Sequence, residues 1–420
     1  MKAKLSLFFV GLALMALGLY GTVYAFHDGG VARCEGCHTM HNSLNGTAMN
    51  TAGGMVQYQS GAWLLQGADV STACLNCHGT GDATNEYHVS TQSVTAGGAT
   101  IPAQYTPGGD FSWIKSTANS VGSNRGHNII SASFNYVQDA RLTVSPGGAY
   151  PANVLGCSGC HDPHGKTRRL TDGSYVNPAL GTAVLPIGGS GSYGAEPTAT
   201  YAVGAYRLLG GAGYSPVAAG GAVTFTNNPP LAVSPSSYNR TEGSTMTRVV
   251  YGSGMSEWCA NCHGQIHLTT AYVSGQAGLK HPAGNNATLG AIADNYNAYV
   301  SSGDLTGTQA TSYNSLVPYE EQSTNVADML TRAVTDNSQL SGPTSSMTVS
   351  CLSCHRAHAT GFENMIRYDI SEVLITDATG AFEPRAGMTD TSLAAAYYGR
   401  DAAYFGVAQR VLCNKCHVQD

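Results

Sequence analysis

Apolar residues are distributed unevenly along this chain. Leu5 to Leu19 is almost continuously apolar, preceded by Lys2 and Lys4 and followed by Val23-Tyr24-Ala25. A charged start, an apolar stretch and then small residues form the pattern of a secretory leader, here residues 1–25, with the mature chain beginning at Phe26. The apolar run is short for a membrane anchor, and no later stretch has the length and apolarity to span a bilayer. No cysteine follows the leader directly, so a lipid anchor is not supported. The expected product is secreted, extracellular or deposited on the cell outer surface.

Beyond Phe26, helix-period and strand-period apolar runs are scarce. Leu289 to Val300 and Ser392 to Cys416 have helical character. Thr171 to Ser256 carries Gly-Gly, Pro-Pro and Ser-Pro signals among short Tyr/Val runs, which predicts turns and brief strands. No polar linker is long enough to separate domains, so residues 26–420 read as a single domain. A protein-only globule of this size needs many apolar runs to fill its core. Something else must supply the interior.

The cysteines identify it. All twelve fall within six copies of Cys-x-x-Cys-His: Cys34/Cys37/His38, Cys74/Cys77/His78, Cys157/Cys160/His161, Cys259/Cys262/His263, Cys351/Cys354/His355 and Cys413/Cys416/His417. This spacing is that of c-type haem attachment, in which two thiols form thioethers to the porphyrin and the adjacent histidine binds iron. A disulfide framework gives no reason for a histidine after every pair. Structural zinc uses four ligands per site, and thioredoxin-like chemistry needs one redox pair. The chain is therefore expected to carry six haems c. The fold class follows: a multihaem cytochrome c, mostly irregular loops with a few short helices and brief strands, packed around six haems and unstable without them.

Composition agrees with that picture. Charged residues make up 11% of the chain and 52 residues are glycine. The formal charge of −6 becomes more acidic once Lys2 and Lys4 leave with the leader. Nucleic-acid binding, which needs a basic face, is not expected.

Eight of the fourteen histidines lie outside the motifs: His27, His41, His88, His127, His164, His267, His281 and His358. Two axial histidines on each haem would use six of them as distal ligands and leave two. Met40, Met49, Met255 and Met365 lie near motifs and are the alternative axial ligands. His41, His164 and His358 follow a proximal histidine by three residues, and His267 by four. If these turns are helical, both imidazoles share one face, and the second cannot reach the far side of its own porphyrin. It is expected to bind a different iron, so each pair staples two haems. Evenly scattered through a compact chain of this length, irons would lie on the order of 20–25 Å apart. Stapling shortens that distance, and tunnelling falls off exponentially with it. His88 and His127 sit in exposed-looking contexts. Trp63, Trp113 and Trp258 are expected to pack against porphyrins, and Arg168 and Arg169 either pair with propionates or remain solvated. The motif intervals differ too much for a solenoid, so the repeat reads as chemical rather than structural.

Several stretches carry a family resemblance: Phe26-His27, Cys34 to His41, Cys160-His161-Asp162-Pro163-His164-Gly165-Lys166, Glu257 to His263, Gly303 to Ala310, Cys351 to His358 and Leu412 to His417. Together they resemble the OmcS-like hexahaem outer-surface cytochromes of metal-reducing bacteria, which polymerise into extracellular filaments. The resemblance covers nearly the whole mature chain and is weakest around 170–200 and 271–350. It implies bis-histidine ligation, one continuous haem row and a head-to-tail homopolymer in which His41 reaches the haem of His355 in the next subunit. Such a contact does not close, so it propagates. The implied activity is extracellular electron transfer, from outer-surface or periplasmic donor cytochromes to metal oxides or electrodes. Two other readings stay open. A monomeric electron shuttle is one. An oxyanion reductase is the other, although it would need an open iron face, and no Cys-x-x-Cys-Lys occurs; Lys415 lies inside a motif that keeps His417.

Overall fold

The structure is a computed structural model that describes residues 34–39, 43–44, 47–48, 64–79, 88–91, 94–96, 99–115, 124–179, 182–216, 219–235, 247–267, 281–300 and 306–417. The expected leader, His27, His41 and Trp63 lie outside these residues. Loops and turns dominate what is described, punctuated by short helices and brief strands, as the scarcity of periodic runs predicts.

Three motifs sit in the helices α1 (Cys34–Cys37), α2 (Val70–His78) and α3 (Met255–His267). Two more sit in α6 (Cys351–Cys354) and α9 (Leu412–Cys416), and Cys157–Gly159 forms a 3-10 turn. Local capping explains several of these boundaries. Asp69 accepts the Thr72 N–H at 2.7 Å at the start of α2, and Ser350 and Ser353 form a capping box on α6. The helix expected over 289–300 is α4 (Ile292–Val300), and α5 spans Val326–Arg332. The one expected over 392–416 is instead three pieces: α7 (Asp390–Ala396), α8 (Ala402–Phe405) and α9. Gly399 and Gly406, at φ 76° and 78°, turn the chain left-handed between them.

The 171–256 stretch supplies five of the ten described strands. Together with β1 (Arg168–Arg169), the strands β2 (Tyr175–Val176), β3 (Ile187–Gly189) and β4 (Ala202–Gly204) make a sheet of order β2-β1-β4-β3, parallel only between β3 and β4. β5 (Leu231–Val233) and β6 (Val250–Ser253) pair antiparallel, with Val250 opposite Val233. Among the described residues, buried apolar side chains fall into five clusters rather than one core, and four of them include motif residues or lie against them. The largest gathers Tyr296, Tyr368, Phe382, Tyr397 and Phe405 beside Cys354 and Cys416.

The repeat is also structural, contrary to the expectation from uneven spacing. His38, His161 and His355 each form an isolated antiparallel bridge, with Leu65, Leu209 and Ile366 respectively. In every copy the residue after the histidine donates to the carbonyl preceding its bridge partner: Thr39 to Leu64 (2.5 Å), Asp162 to Leu208 (2.8 Å) and Arg356 to Met365 (3.1 Å). The residue after the bridge partner donates back to the second cysteine: Gln66 to Cys37, Gly210 to Cys160 and Arg367 to Cys354. Leu64, Leu208 and Met365 all adopt left-handed backbone, at φ 50°, 59° and 58°. Unequal insertions between the copies hide this register from any count of intervals. The first, third and fifth motifs therefore share one local fold.

One buried ion network braces the region behind α5. Glu321 accepts from Arg248 at 2.7 Å and from Arg332 at 2.7 Å, and Arg332 also reaches Asp328 at 2.8 Å. Arg248 lies over the Tyr313 ring, 4.5 Å from its centre. Removing one partner of a buried pair leaves an uncompensated charge. Glu321→Ala should therefore cost about 3–5 kcal/mol in the denaturant unfolding of the haem-loaded protein, whereas Asp328→Ala, at the exposed end, should leave the midpoint unchanged.

Candidate haem-iron centres

The expected proximal histidines gain their orientation from backbone carbonyls. His161 Nδ1 lies 2.8 Å from the Arg207 carbonyl, His263 Nδ1 2.8 Å from Pro146 and His355 Nδ1 3.0 Å from Asn364. Arg207 and Asn364 occupy the same place in the repeated register, and their left-handed backbone (φ 50° and 57°) turns each carbonyl onto the ring. Three expected distal histidines are held alike: His127 to Ala357 (2.6 Å), His281 to Pro282 (2.8 Å) and His358 to Gly109 (3.1 Å). A carbonyl accepting from Nδ1–H fixes the tautomer and leaves Nε2 as the bare nitrogen a metal binds. Burial, followed by neighbouring histidines, lowers His358 to about 3, and burial and then His263 lower His127 to about 4. Both rings are held neutral, as coordination requires.

The rings then meet in pairs. His38 faces His164 with centres 6.4 Å apart, and His161 faces His358 at 6.3 Å. His263 faces His127 at 6.1 Å, and His417 faces His281 at 6.0 Å. Two imidazoles on opposite sides of one metal, each nitrogen roughly 2 Å from it, have ring centres roughly 6 Å apart. Four expected proximal histidines therefore stand at axial spacing from four expected distal ones. His88, which looked exposed from its neighbours in sequence, is fully buried. The Val89 N–H donates to the His78 carbonyl at 2.9 Å, bringing that segment against the second motif. The Gln104 amide lies 3.4 Å from His88 Nδ1. The side chain of His267 is not among the described residues.

The staple geometry differs from the helical one expected. His161 to His164 and His355 to His358 run through bridges and turns, not helix. The second imidazole nonetheless meets a different ring from the first. These staples also skip a motif: His164 reaches the ring of motif one from motif three, and His358 reaches that of motif three from motif five.

Successive motifs are instead neighbours through their cysteines. Cys37 is near enough to Cys77, Cys160 to Cys262, and Cys354 to Cys413 and Cys416 to influence one another electrostatically, and the free thiols of Cys74 and Cys157, and of Cys259 and Cys351, come within hydrogen-bonding reach. The six motifs form a row in sequence order, which spacing alone left open.

Other expected residues have protein partners. Arg169 pairs with Glu196 at 3.1 Å, and Arg168 donates to the Leu185 carbonyl at 2.5 Å. Trp258 donates from Nε1 to the Gly210 carbonyl at 2.8 Å and packs edge-on to Phe225. By contrast, Trp113 Nε1 and the Tyr296 and Tyr368 hydroxyls are buried without a protein partner. Such donors suit the oxygens of a bound cofactor. The ring spacing, the fixed tautomers and these donors together fit haem.

Comparison with known proteins agrees. The chain is 49% identical over 443 aligned positions to the C-type cytochrome OmcS of Geobacter sulfurreducens, spanning 100% of this chain and 99% of that protein. The chain belongs to the OmcS family of c-type cytochromes. Its structure is similar to that of the OmcS nanowires solved by cryo-EM (TM-score 0.81, 50% identity) and to that of the outer membrane cytochrome S filament (TM-score 0.79, 49% identity), both from Geobacter sulfurreducens. Each comparison covers 94% of this chain and 100% of the other. No family model matches the chain. As a c-type cytochrome of the OmcS family, it carries haem c.

Sequence reasoning missed the carbonyl acceptors and the strap that holds His358. Its N–H donates to Gly108 at 2.6 Å and its ring stacks on Phe111 at 4.7 Å. Gly109, at φ 96°, has no room for a Cβ, which would collide with the Ala359 carbonyl. Gly109→Ala should therefore displace the strap and His358 with it. Low-temperature EPR of the oxidised protein should then gain a high-spin ferric signal from one haem, and His358→Ala should give the same signal.

Proposed function

We propose that this chain carries six haems c, one on each Cys-x-x-Cys-His motif, and assembles head to tail into an extracellular filament that conducts electrons along them. Membership of the OmcS family makes it a filament-forming cytochrome of extracellular electron transfer. The observation that carries the finer reading is the set of imidazole pairs 6.0–6.4 Å apart. It supports His164, His358, His127 and His281 as distal ligands to the irons of His38, His161, His263 and His417. The Val89–His78 bond supports His88 as the distal ligand for His78.

That assignment leaves the iron of His355. In the repeated register, motif three supplies the ligand of motif one, and motif five that of motif three. By the same rule motif five takes its ligand from the first motif of a second copy. His41 of the partner subunit, three residues after its own proximal histidine, fits that role, and His27 and His267 are then the two not used.

When bound, each haem supplies a one-electron iron couple. The protein sets the ligands, the spacing and the exposure. Two imidazoles per iron leave no open face for a small oxyanion, which favours conduction over catalysis. The proposed route runs from donor cytochromes at the cell surface to metal oxides or electrodes, through a secreted product of residues 26–420.

His41→Ala should abolish filaments in the secreted fraction by electron microscopy. Mass spectrometry should still find six haems on the monomer, and one of them should turn high-spin. Long filaments formed by the variant would rule out the intersubunit ligand.

A further inference from the structure

Glu320 takes no part in the centres described above, yet it occupies the junction between two of them. It is fully buried, on a segment bridged to Tyr251 and Thr348. Its carboxylate accepts the N–H groups of Gly254 at 3.0 Å and Ser256 at 3.3 Å, at the leading end of α3, which carries the fourth motif. It also accepts from the side chain of Ser350, the N-cap of α6, which carries the fifth. Ser256 Oγ in turn accepts the Cys351 N–H at 3.0 Å. One carboxylate thus ties together the start of two successive motif helices, at the point where Cys259 and Cys351 come together, close enough for its charge to act on both.

No cation balances it among the described residues. Arg248 and Arg332 are paired with Glu321, its neighbour in sequence. The titratable group facing Glu320 is Glu257 from α3; Cys259 and Cys351, as haem thioethers, do not titrate. Glu257 is itself held by the Asn285 N–H at 2.8 Å.

We propose that Glu320 is a redox-linked proton acceptor for the haems of motifs four and five: when an iron there gains an electron, the carboxylate takes up a proton, and it releases that proton when the electron leaves. This rests on the haem assignment above. The step balances as ferric to ferrous iron by one electron from the preceding haem, and carboxylate to carboxylic acid by one proton from solvent. The net charge of the junction is then unchanged, which is what a buried, poorly solvated site favours. Desolvation, followed by Glu257, already raises the carboxyl above its ordinary range, while the three donors hold it down. Added electron density at the iron pushes it further in the same direction. The potentials of these two haems should accordingly fall as pH rises above the ordinary carboxylate range, and level off once the carboxylate stays ionised in both redox states.

Spectropotentiometric titration of the haem-loaded filament across pH tests this, comparing the native protein with Glu320→Gln. Above the window, the variant should lack the buried negative charge and bind its electrons about tenfold more tightly in one part of the curve, equivalent to about 59 mV for a one-electron couple. It should also lose the pH slope there. Unchanged potentials and an unchanged slope would overturn the proposal. Infrared redox-difference spectra of the native protein, grown with carboxyl-labelled glutamate, give an answer that does not depend on the variant folding. A glutamic-acid carbonyl band should grow on reduction, and its absence would equally overturn the proposal. EPR of the same oxidised sample reports axial ligation independently, so failure of the haem assignment would show as high-spin irons whatever the proton result.

Discussion

On the proposed ligation, axial coordination by two imidazoles is the constraint from which the rest of this structure follows. A ring pair 6.0–6.4 Å apart would fix where an iron sits and which two stretches of chain meet there. His164 brings the loop after motif three to motif one, and His281 brings the segment before α4 to the C-terminal motif. Three of the four pairs are in turn oriented by backbone carbonyls on at least one ring, so the loops around a centre are specified by hydrogen bonds to the histidines themselves. With that ligation, a chain so poor in regular elements would hold a defined shape because metal–ligand bonds organise its long-range contacts.

Packing follows the same plan. Apolar side chains gather in separate clusters beside the motifs, as expected where porphyrin faces provide most of the interior. The cysteine proximities between successive motifs and the histidine staples between alternate motifs are complementary. One sets the order of the row, and the other locks every second position. Because odd-numbered motifs share a hydrogen-bond register, the step from motif one to three and the step from three to five are variants of one joint. On the proposed His41 ligation, a filament continues that joint between molecules, so propagation needs no separate design.

The proposed attachment motifs and proximal histidines stand out in the sequence because covalent haem chemistry demands a fixed local spacing. The family was legible for the same reason. The pairing of His127 with His263 and of His281 with His417 was not, since it depends on which distant loops the fold brings together. The three-residue staples were anticipated on a helical premise that the backbone does not obey. They reach different rings all the same, through a bridge followed by a turn or bend. The C-terminal helix was read as continuous because apolar periodicity does not register left-handed turns at Gly399 and Gly406. Carbonyl acceptors such as Arg207 and Asn364 carry no side-chain signature at all. Glu320 was silent as well, being one of two adjacent acids whose environments differ only in the folded state.

The central claim is that each iron lies between two particular histidines drawn from different parts of the row. A cryo-EM map of the assembled, haem-loaded protein at side-chain resolution tests it most directly. The account predicts continuous density from both His38 and His164 into one iron, from His161 and His358 into a second, and from His355 and a histidine of the partner subunit into another. Density joining His164 or His358 to any other iron, or leaving those irons with a methionine or solvent ligand, would contradict it.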